Sequence, residues 1–245
     1  MRFNKEPKSE NFIYGFHAVE AVLRYSPHRA KKLVVARKQD APALLSLAQS
    51  AGVAFEHMER DLLEKRFKVG SLAQGVVLLV SPFTYTPLEE LLNLELKRLL
   101  LLDTWQDAVN LGRAARAALC FGASALVICK DRSATITAAS EKAAAGALSR
   151  LPVAQVTNLS MAMRAIKERD FFIYGADERG PVAIKDCDFA SKVAIVIGQE
   201  GGGLRELTKK NCDMLVSIPM AAPDICLNAA DTALLFLYEL NSRNK

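Results

Sequence analysis

The stretch VAIVIGQEGGGL, from Val193 to Leu204, decides the fold class of this chain. It opens with a wholly apolar run of strand length, and its glycine-rich loop leads into a helical pattern at 204–211. A strand with no polar face is buried on both sides, as in a parallel sheet that helices cover on two faces. Short apolar runs and helical patterns alternate through the second half of the chain, so we expect an α/β domain with a mostly parallel sheet there.

The individual elements follow from the same patterns. In the second half we expect strands at 99–102, 126–129, 153–156, 171–176, 193–198 and 214–218, and helices at 110–121, 141–149, 159–169, 204–211 and 227–240. In the first half we expect strands at 32–36, 53–58 and 76–80, and helices at 15–24, 41–51 and 60–67. The first series is long enough for a small α/β domain of its own.

Two prolines in SPFTYTP, residues 81–87, interrupt the alternation and indicate a linker, with a short helix at 88–94. We therefore predict a mobile polar lead at 1–10, a small domain at 11–81, a linker at 82–94 and a second domain at 95–245.

The charge of the chain is concentrated at its start. The 245 residues carry 32 Lys and Arg and 27 Asp and Glu, a net charge of +5. Residues 1–40 hold nine basic and four acidic side chains, so the remaining residues are neutral in sum. A local basic excess of this kind favours contact with nucleic acid phosphates, although a solvated surface explains it equally well.

Composition excludes several classes of protein. With 51% hydrophobic and 24% charged residues the chain is globular rather than disordered. It contains no apolar run of 18 residues and no signal-peptide pattern, so we expect neither a membrane span nor secretion. Its five cysteines lack C-x-x-C spacing and its three histidines are scattered, so we expect no disulfide framework and no metal site, as in a reduced cytoplasmic protein.

Three segments that follow predicted strands could bind a ligand, because open α/β sheets bind ligands beyond the carboxyl ends of their strands. The glycine loop lacks both the Gly-Lys-Ser/Thr end of a phosphate loop and the G-x-G-x-x-G spacing of dinucleotide sites. Four glycines within residues 198–203 nevertheless let a ligand approach the backbone closely. Taken alone, the loop fits a flexible turn equally well.

The other two segments lie on either side of this loop in the sequence. In the first, Asn110, Arg113 and Arg116 recur every three residues near a helix start, a pattern suited to phosphate or ribose or to a plain capped helix. In the second, Ile218-Pro219-Met220 ends a strand, and Asn228 lies near the start of the closing helix. A Met or Leu side chain against a flat ring suits an adenine pocket, whereas an ordinary connection with a core Met is the simpler interpretation.

Together the three segments resemble the motifs of the TrmH-type branch of the SPOUT RNA methyltransferases. The first motif of that family, an Asn with an Arg six positions on, is matched by Asn110 and Arg116. Its glycine motif is matched by Gly198, Glu200, Gly201, Gly203 and Leu204, and its third motif by Ile218-Pro219-Met220 with Cys226-Leu227-Asn228. Residues 14–19 and 70–76 also resemble the two ends of the small, ribosomal-protein-like substrate-binding domain found in the members that methylate guanosine in 23S rRNA.

The resemblance implies a fold that pattern reading does not supply. The catalytic domain of the family contains a deep trefoil knot, a rare exception to the rule against threaded connections. The resemblance also implies S-adenosylmethionine as cofactor, structured RNA as substrate (23S rRNA or, alternatively, tRNA), and a homodimer built through the C-terminal domain. The last helix, with its apolar stretch 233–237, would form much of the dimer face.

Site residues follow from the same resemblance. The catalytic set is Arg116, Asn110, Glu200 and Asn228. The cofactor-binding set is Gly198, Glu200, Gly203, Ile218, Met220, Cys226 and Leu227. The RNA-binding set is Arg113, Arg116, His17, Arg29, Lys31 and Lys32. Because a guanidinium stays protonated, Arg116 is expected to grip a phosphate and orient the ribose 2′-hydroxyl.

The chain also departs from the family pattern. Cys226 stands where the family has Ser, and Ala229-Ala230-Asp231-Thr232 replaces Val-Ser-Val-Ala. Ala108 replaces a proline and Ala73 a histidine. A catalytically weakened relative that only binds RNA is therefore an alternative. The other alternative, a nucleotide-dependent oxidoreductase or transferase on a conventional dinucleotide-binding sheet, is disfavoured by the absent G-x-G-x-x-G.

Overall fold

A computed structural model describes residues 10–37, 41–222 and 225–243. The chain divides into two compact units. The first contains the described residues up to Thr84 together with the later segment Thr137–Arg150, and the second contains Tyr85–Ile136 and the described residues from Leu151 onward. Among the described residues, no helix has both the length and the apolar character needed to cross a membrane, and no group of three His, Cys, Asp or Glu side chains is placed to hold a metal.

The first unit is built on a four-stranded sheet in the order β1-β4-β2-β3. Its elements from the amino-terminal part are β1 (Phe12–Tyr14), α1 (Phe16–Tyr25), β2 (Ala30–Val35), α2 (Pro42–Ser50), β3 (Ala54–His57), α3 (Arg60–Phe67) and β4 (Val76–Val80). Strand β4 pairs antiparallel with β1 and β2, whereas β2 and β3 are parallel. Val76 and Leu78 face one apolar core and Val77 faces another, as the two-residue period of a strand requires.

The second unit is built on a seven-stranded sheet in the order β7-β6-β5-β10-β8-β11-β9, and every described pairing in it is parallel. Its strands are β5 (Arg98–Leu102), β6 (Ala125–Cys129), β7 (Val153–Val156), β8 (Phe172–Ala176), β9 (Val182–Ala183), β10 (Val193–Ile197) and β11 (Met214–Ser217). Its helices are α4 (Leu88–Leu92), α5 (Ala108–Cys120), α7 (Leu159–Lys167), α8 (Glu206–Asn211) and α9 (Ala229–Ser242). The predicted fold class, a small α/β unit and a larger unit with a mostly parallel sheet, is confirmed.

The strand order explains how distant motifs meet. Strand β10, which carries the glycine loop at its end, lies between β5 and β8, and β11 lies on the far side of β8. Because all of these strands are parallel, the segments after β5, β8, β10 and β11 emerge at the same edge of the sheet. The three motifs predicted from sequence follow β5, β10 and β11, so the topology gathers them.

The predicted helix at 141–149 differs from the structure. Helix α6 (Ala138–Ala144) begins earlier, because Thr137 and Ser140 form a capping box. It ends where Ala145 and Gly146 adopt positive φ angles of 48° and 93°, and a 3-10 turn at Ala147–Ser149 follows. At Gly146 a side chain is excluded as well as strained, since a Cβ atom there would lie 2.4 Å from Ala21 Cβ.

This segment lies between β6 and β7 in the sequence but belongs to the first unit. A buried ion pair holds it there, with Arg29 Nη2 2.7 Å from Glu141 Oε1 and both side chains at most 6% exposed. Burial raises the pKa of Glu141, and Arg29 partly offsets that rise. Neither this placement nor the short strands β1 and β9 was predicted from the sequence.

Candidate active site

The carboxylate of Glu200 joins the three sequence motifs. Asn110 Nδ2, from the first motif, donates a 2.9 Å hydrogen bond to Glu200 Oε1, and Asn228 Nδ2, from the third motif, donates to the same oxygen. Asn110 and Asn228, which lie 90 residues before and 28 residues after Glu200, therefore share one acceptor atom. Hydrogen bonds to an ionised acceptor are about twice as strong as neutral ones, so this junction fixes the relative positions of the three segments.

Helix caps orient the two amides. Asp107 accepts hydrogen bonds from Val109 N and Asn110 N at 2.6 and 3.1 Å, so α5 starts at Ala108 and Asn110 lies in its first turn. Asn228 caps α9 by accepting from Ala230 N at 2.8 Å through Oδ1, which leaves Nδ2 to face Glu200. The cap thus determines which end of the Asn228 amide points at the carboxylate.

The glycine loop is a hydrogen-bonded turn rather than a loose connection. Gly203 N donates to Gln199 O at 3.0 Å, and these two residues form an isolated β-bridge. Gly198 packs against Gly203 so closely that a Cβ atom at 198 would lie 2.0 Å from the Gly203 carbonyl carbon. The loop can close only with glycine at position 198, and Glu200 is carried at its tip.

A cavity of about 360 Å³ opens beside this loop. Every residue of the predicted cofactor-binding set lines it: Gly198, Glu200, Gly203, Ile218, Met220, Cys226 and Leu227. Such a volume lies within the ~300–1,000 Å³ range of small-molecule sites. The glycine backbone provides one wall and the apolar side chains after β11 provide another, which suits a ligand with a flat ring and a polar chain.

The sequence prediction missed part of the lining. Ala176, which ends β8, residues 177–179, which follow it, and Lys209 of α8 also face the cavity. Burial alone would raise the pKa of Asp177, but hydrogen bonds from Lys209 (2.7 Å) and from Arg179 N (2.9 Å) bring it below its usual value. Asp177 is therefore an ionised group at the cavity. It directly follows a predicted strand, so the strand-end rule could have identified it.

A second cavity of about 230 Å³ adjoins the first. Trp105, Gln106, Asp107 and Asn110 line it, and three further residues line both cavities: Gln199, Glu200 and Ala229. The junction at Glu200 therefore stands between two concave surfaces. This arrangement suits a site where two ligands meet.

The arginines of α5 lie on its outer side. Each three-residue step turns an α-helix back by about 60°, which places Arg116 about 120° around the axis from Asn110. Asn110 is accordingly buried, whereas Arg113 and Arg116 are exposed, and Arg116 lines neither cavity. Arg113 forms an ion pair with Asp231 of α9 at 2.6 Å. Asp231 is one of the departures from the family pattern, so this pair gives it a structural partner.

Cys226, which stands where the family has Ser, is exposed at the rim of the larger cavity. Its Sγ lies 3.9 Å from Glu178 Oε2, so the thiol faces the segment after β8. The preceding residues Pro223 and Asp224 of the same motif lie outside the described residues.

The four basic residues assigned to RNA binding in the first unit differ in exposure. His17 and Lys31 are exposed, and Lys32 pairs with Glu56. Arg29 is buried, pairs with Glu141 and stacks over the Phe83 ring with 5.0 Å to its centroid. Its assignment to RNA binding is therefore corrected: the guanidinium has no surface to offer a phosphate.

Fold and site together define an α/β protein whose ligand site is a glycine-loop cavity at the carboxyl edge of a parallel sheet. Residues 97–238 match the SpoU rRNA methylase family, and residues 12–86 match the RNA 2′-O ribose methyltransferase substrate-binding domain. The first match covers more than half of the chain, and the chain belongs to the SpoU rRNA methylase family.

Similar proteins agree with this assignment. The chain is 34% identical to the 23S rRNA (guanosine-2′-O-)-methyltransferase RlmB of Escherichia coli K12 over 93% of this chain and 96% of that protein. It is 36% identical to RlmB of Pseudomonas syringae pv. tomato over 93% of each chain. In fold it is similar to the SpoU methyltransferase AviRb from Streptomyces viridochromogenes, solved in complex with AdoMet, with a TM-score of 0.81, 23% identity and coverage of 96% of this chain and 90% of that one.

Proposed function

We propose that this protein transfers a methyl group from S-adenosylmethionine to a ribose 2′-hydroxyl of RNA, with guanosine in 23S rRNA as the substrate. The observation that carries the proposal is the Glu200 junction, which binds Asn110 and Asn228 at the wall between two cavities. The relatives of matching length act on 23S rRNA guanosine, as their names state.

The larger cavity fits the cofactor by its lining. The backbone of the glycine loop provides N–H and C=O groups that can read the edge of an adenine ring, and Ile218, Met220 and Leu227 provide apolar contact. Asp177 and Glu200 add two carboxylates to the lining, which suits a ligand that carries a sulfonium cation. When bound, S-adenosylmethionine supplies an activated methyl group.

The smaller cavity lies on the substrate side of the same wall. The ribose 2′-oxygen would gain the methyl group, S-adenosylmethionine would leave as the neutral thioether S-adenosylhomocysteine, and the hydroxyl proton would pass to water. Arg116 remains protonated, so its role is to grip the neighbouring phosphate and orient the hydroxyl. Asn110, Glu200 and Asn228 position the cofactor and the ribose relative to each other.

A second copy of the chain would complete the site. Arg116 is exposed and lines neither cavity, so within one chain it stands outside the site it is proposed to serve. In α9, Ala233, Phe236 and Leu237 of the predicted dimer stretch are buried within the unit, whereas Leu234, Leu235 and Tyr238 are 39–56% exposed. We propose that these three exposed side chains pack against the second copy, and that this contact brings Arg116 of one copy to the cavity of the other.

The first unit would bind the RNA around the modified nucleotide. His17 and Lys31 are exposed basic groups there, and the unit matches a substrate-binding domain. Ribosomal RNA is a cytoplasmic substrate, so the protein would act in the cytoplasm.

Transfer of a tritiated methyl group to total rRNA tests the proposal. Arg116→Ala should retain cofactor binding, measured by calorimetry, but lose methyl transfer by more than ~10²-fold, as when one donor to the reacting group is removed. Unchanged turnover in this variant would overturn the role of Arg116. A wild-type protein that gives no heat with S-adenosylmethionine would instead be the RNA-binding relative without activity.

A further inference from the structure

Asp103 is a buried carboxylate that is not among the motif residues used above. It directly follows β5, and its side chain is 0% exposed. A carboxylate in such surroundings is stable only if it is paired and hydrogen-bonded. Its partner is Arg205, whose Nε and Nη2 lie 2.7 and 2.6 Å from Asp103 Oδ1.

The pairing extends to the backbone. Arg205 N donates to Asp103 Oδ2 at 3.2 Å, so both carboxylate oxygens bind the same residue. The carboxylate raises the pKa of Arg205, which keeps the guanidinium charged. Arg205 is the N-cap residue of α8, one position before its first helical residue Glu206, and it follows the glycine loop and Leu204.

The same short segment also holds the other end of the loop. Asp103 N and Trp105 Nε1 both donate to Ile197 O, at 2.9 and 3.0 Å. Ile197 is the last residue of β10, directly before Gly198. Residues 103–105 therefore bind the chain where it enters the glycine loop and where it leaves it.

We propose that Asp103 and Arg205 are positioning residues: they clamp the ends of the glycine loop together and thereby set the place of Glu200 and of the loop backbone at the cofactor cavity. Loop residues 198–203 form a hydrogen-bonded turn of only six residues, so a shift of Arg205 displaces the whole turn. The inference rests on the proposed function for the identity of the ligand, but the clamp itself is a property of this chain.

Hydrogen exchange and calorimetry on the full-length protein test the clamp. In Arg205→Gln we expect the Gly203 amide, which is bonded to Gln199 O, to exchange at least about tenfold faster, as for loss of one charge-assisted hydrogen bond. The dissociation constant for S-adenosylmethionine should rise by at least about the same factor. In Arg205→Lys, the exchange rate and the dissociation constant should both lie between those of the wild type and Arg205→Gln. Lysine keeps the charge but lacks the planar guanidinium that binds Asp103.

Lys167→Gln is the matched control. Lys167 pairs with Asp213 at 2.6 Å, with a similar partly exposed cation, but Asp213 precedes β11 and thus lies at the opposite edge of the sheet from the cavity. This variant should leave loop exchange and cofactor affinity unchanged. If Arg205→Gln does not fold, Arg205→Lys and Asp103→Asn give the same comparison.

Two results would overturn the clamp: loop exchange that is unchanged in folded Arg205 variants, or a faster exchange with unaltered cofactor affinity. If the wild-type protein binds no S-adenosylmethionine, the proposed function fails, while the exchange measurement still decides whether Asp103 and Arg205 order the loop.

Discussion

Replacing Glu200 separates two roles that the carboxylate could have, an anchor for two amides or a proton acceptor. In the structure, only Oε1 receives the hydrogen bonds from Asn110 and Asn228. Glutamine has the same shape and keeps one carbonyl oxygen that can accept both bonds. Alanine has no acceptor and leaves the buried Asn110 amide without this partner.

The magnitudes follow from the number of bonds. A hydrogen bond to a charged group contributes about 1.5–3 kcal/mol and a neutral one about 0.5–1.5 kcal/mol. Loss of both bonds in Glu200→Ala therefore costs about 3–6 kcal/mol, or roughly 10²–10⁴-fold in kcat/KM. Glu200→Gln keeps two weaker bonds and should lose about 2–3 kcal/mol, or roughly 30–150-fold.

Steady-state methyl transfer to rRNA at varied S-adenosylmethionine is the assay, with thermal unfolding as a check that each variant is folded. Equal loss of activity in Glu200→Gln and Glu200→Ala would contradict the anchoring role, since a proton acceptor would lose its function in both. Activity of Glu200→Ala within a few-fold of the wild type would contradict the anchoring role as well.

Three further predictions concern charges and surfaces around the site. Asp231→Asn frees Arg113, so the slope of log K for RNA against log salt should steepen by about 0.7–0.9, one phosphate contact, and an unchanged slope would argue against it. Arg29→Met leaves Glu141 buried without its guanidinium, so the carboxyl pKa rises further above its ordinary 4.5. The free energy of unfolding should then fall with rising pH over a wider range above that value than in the wild type, as denaturant titrations at several pH values would show. Leu235→Glu places a charge on the exposed face of α9 and should give a monomer in light scattering that binds cofactor but does not methylate RNA; a dimer with full activity would contradict the proposed interface.

Local sequence patterns sufficed for most elements. Helix Arg60–Phe67 and strands Val76–Val80 and Val153–Val156 have the predicted bounds, because apolar periodicity and flanking turn residues agree there. Helix starts shifted where a cap decides: Asp107 extends α5 to Ala108, and Arg205, held by Asp103, delays α8 to Glu206. Such caps depend on side-chain contacts, which the spacing of apolar residues in the sequence does not reveal.

Long-range placement could not be predicted from periodicity. The position of β10 between β5 and β8, and the association of Thr137–Arg150 with the first unit, depend on pairings between residues far apart in sequence. The Arg29–Glu141 pair is an example, since each residue alone has the sequence context of a surface charge. The motif residues around the cavity could be selected because the family resemblance supplied their spacing, whereas Asp177 and Lys209 are outside those motifs.

The proposed activity is tested most directly by methyl transfer from tritiated S-adenosylmethionine to 23S rRNA from cells that lack this protein, with the wild-type protein as catalyst. The labelled nucleotide is then mapped. We predict label in a single 2′-O-methylguanosine, identified by the resistance of its 3′ phosphodiester bond to alkali. Label on a base, or cofactor binding with no transfer to 23S rRNA, would contradict the proposed activity.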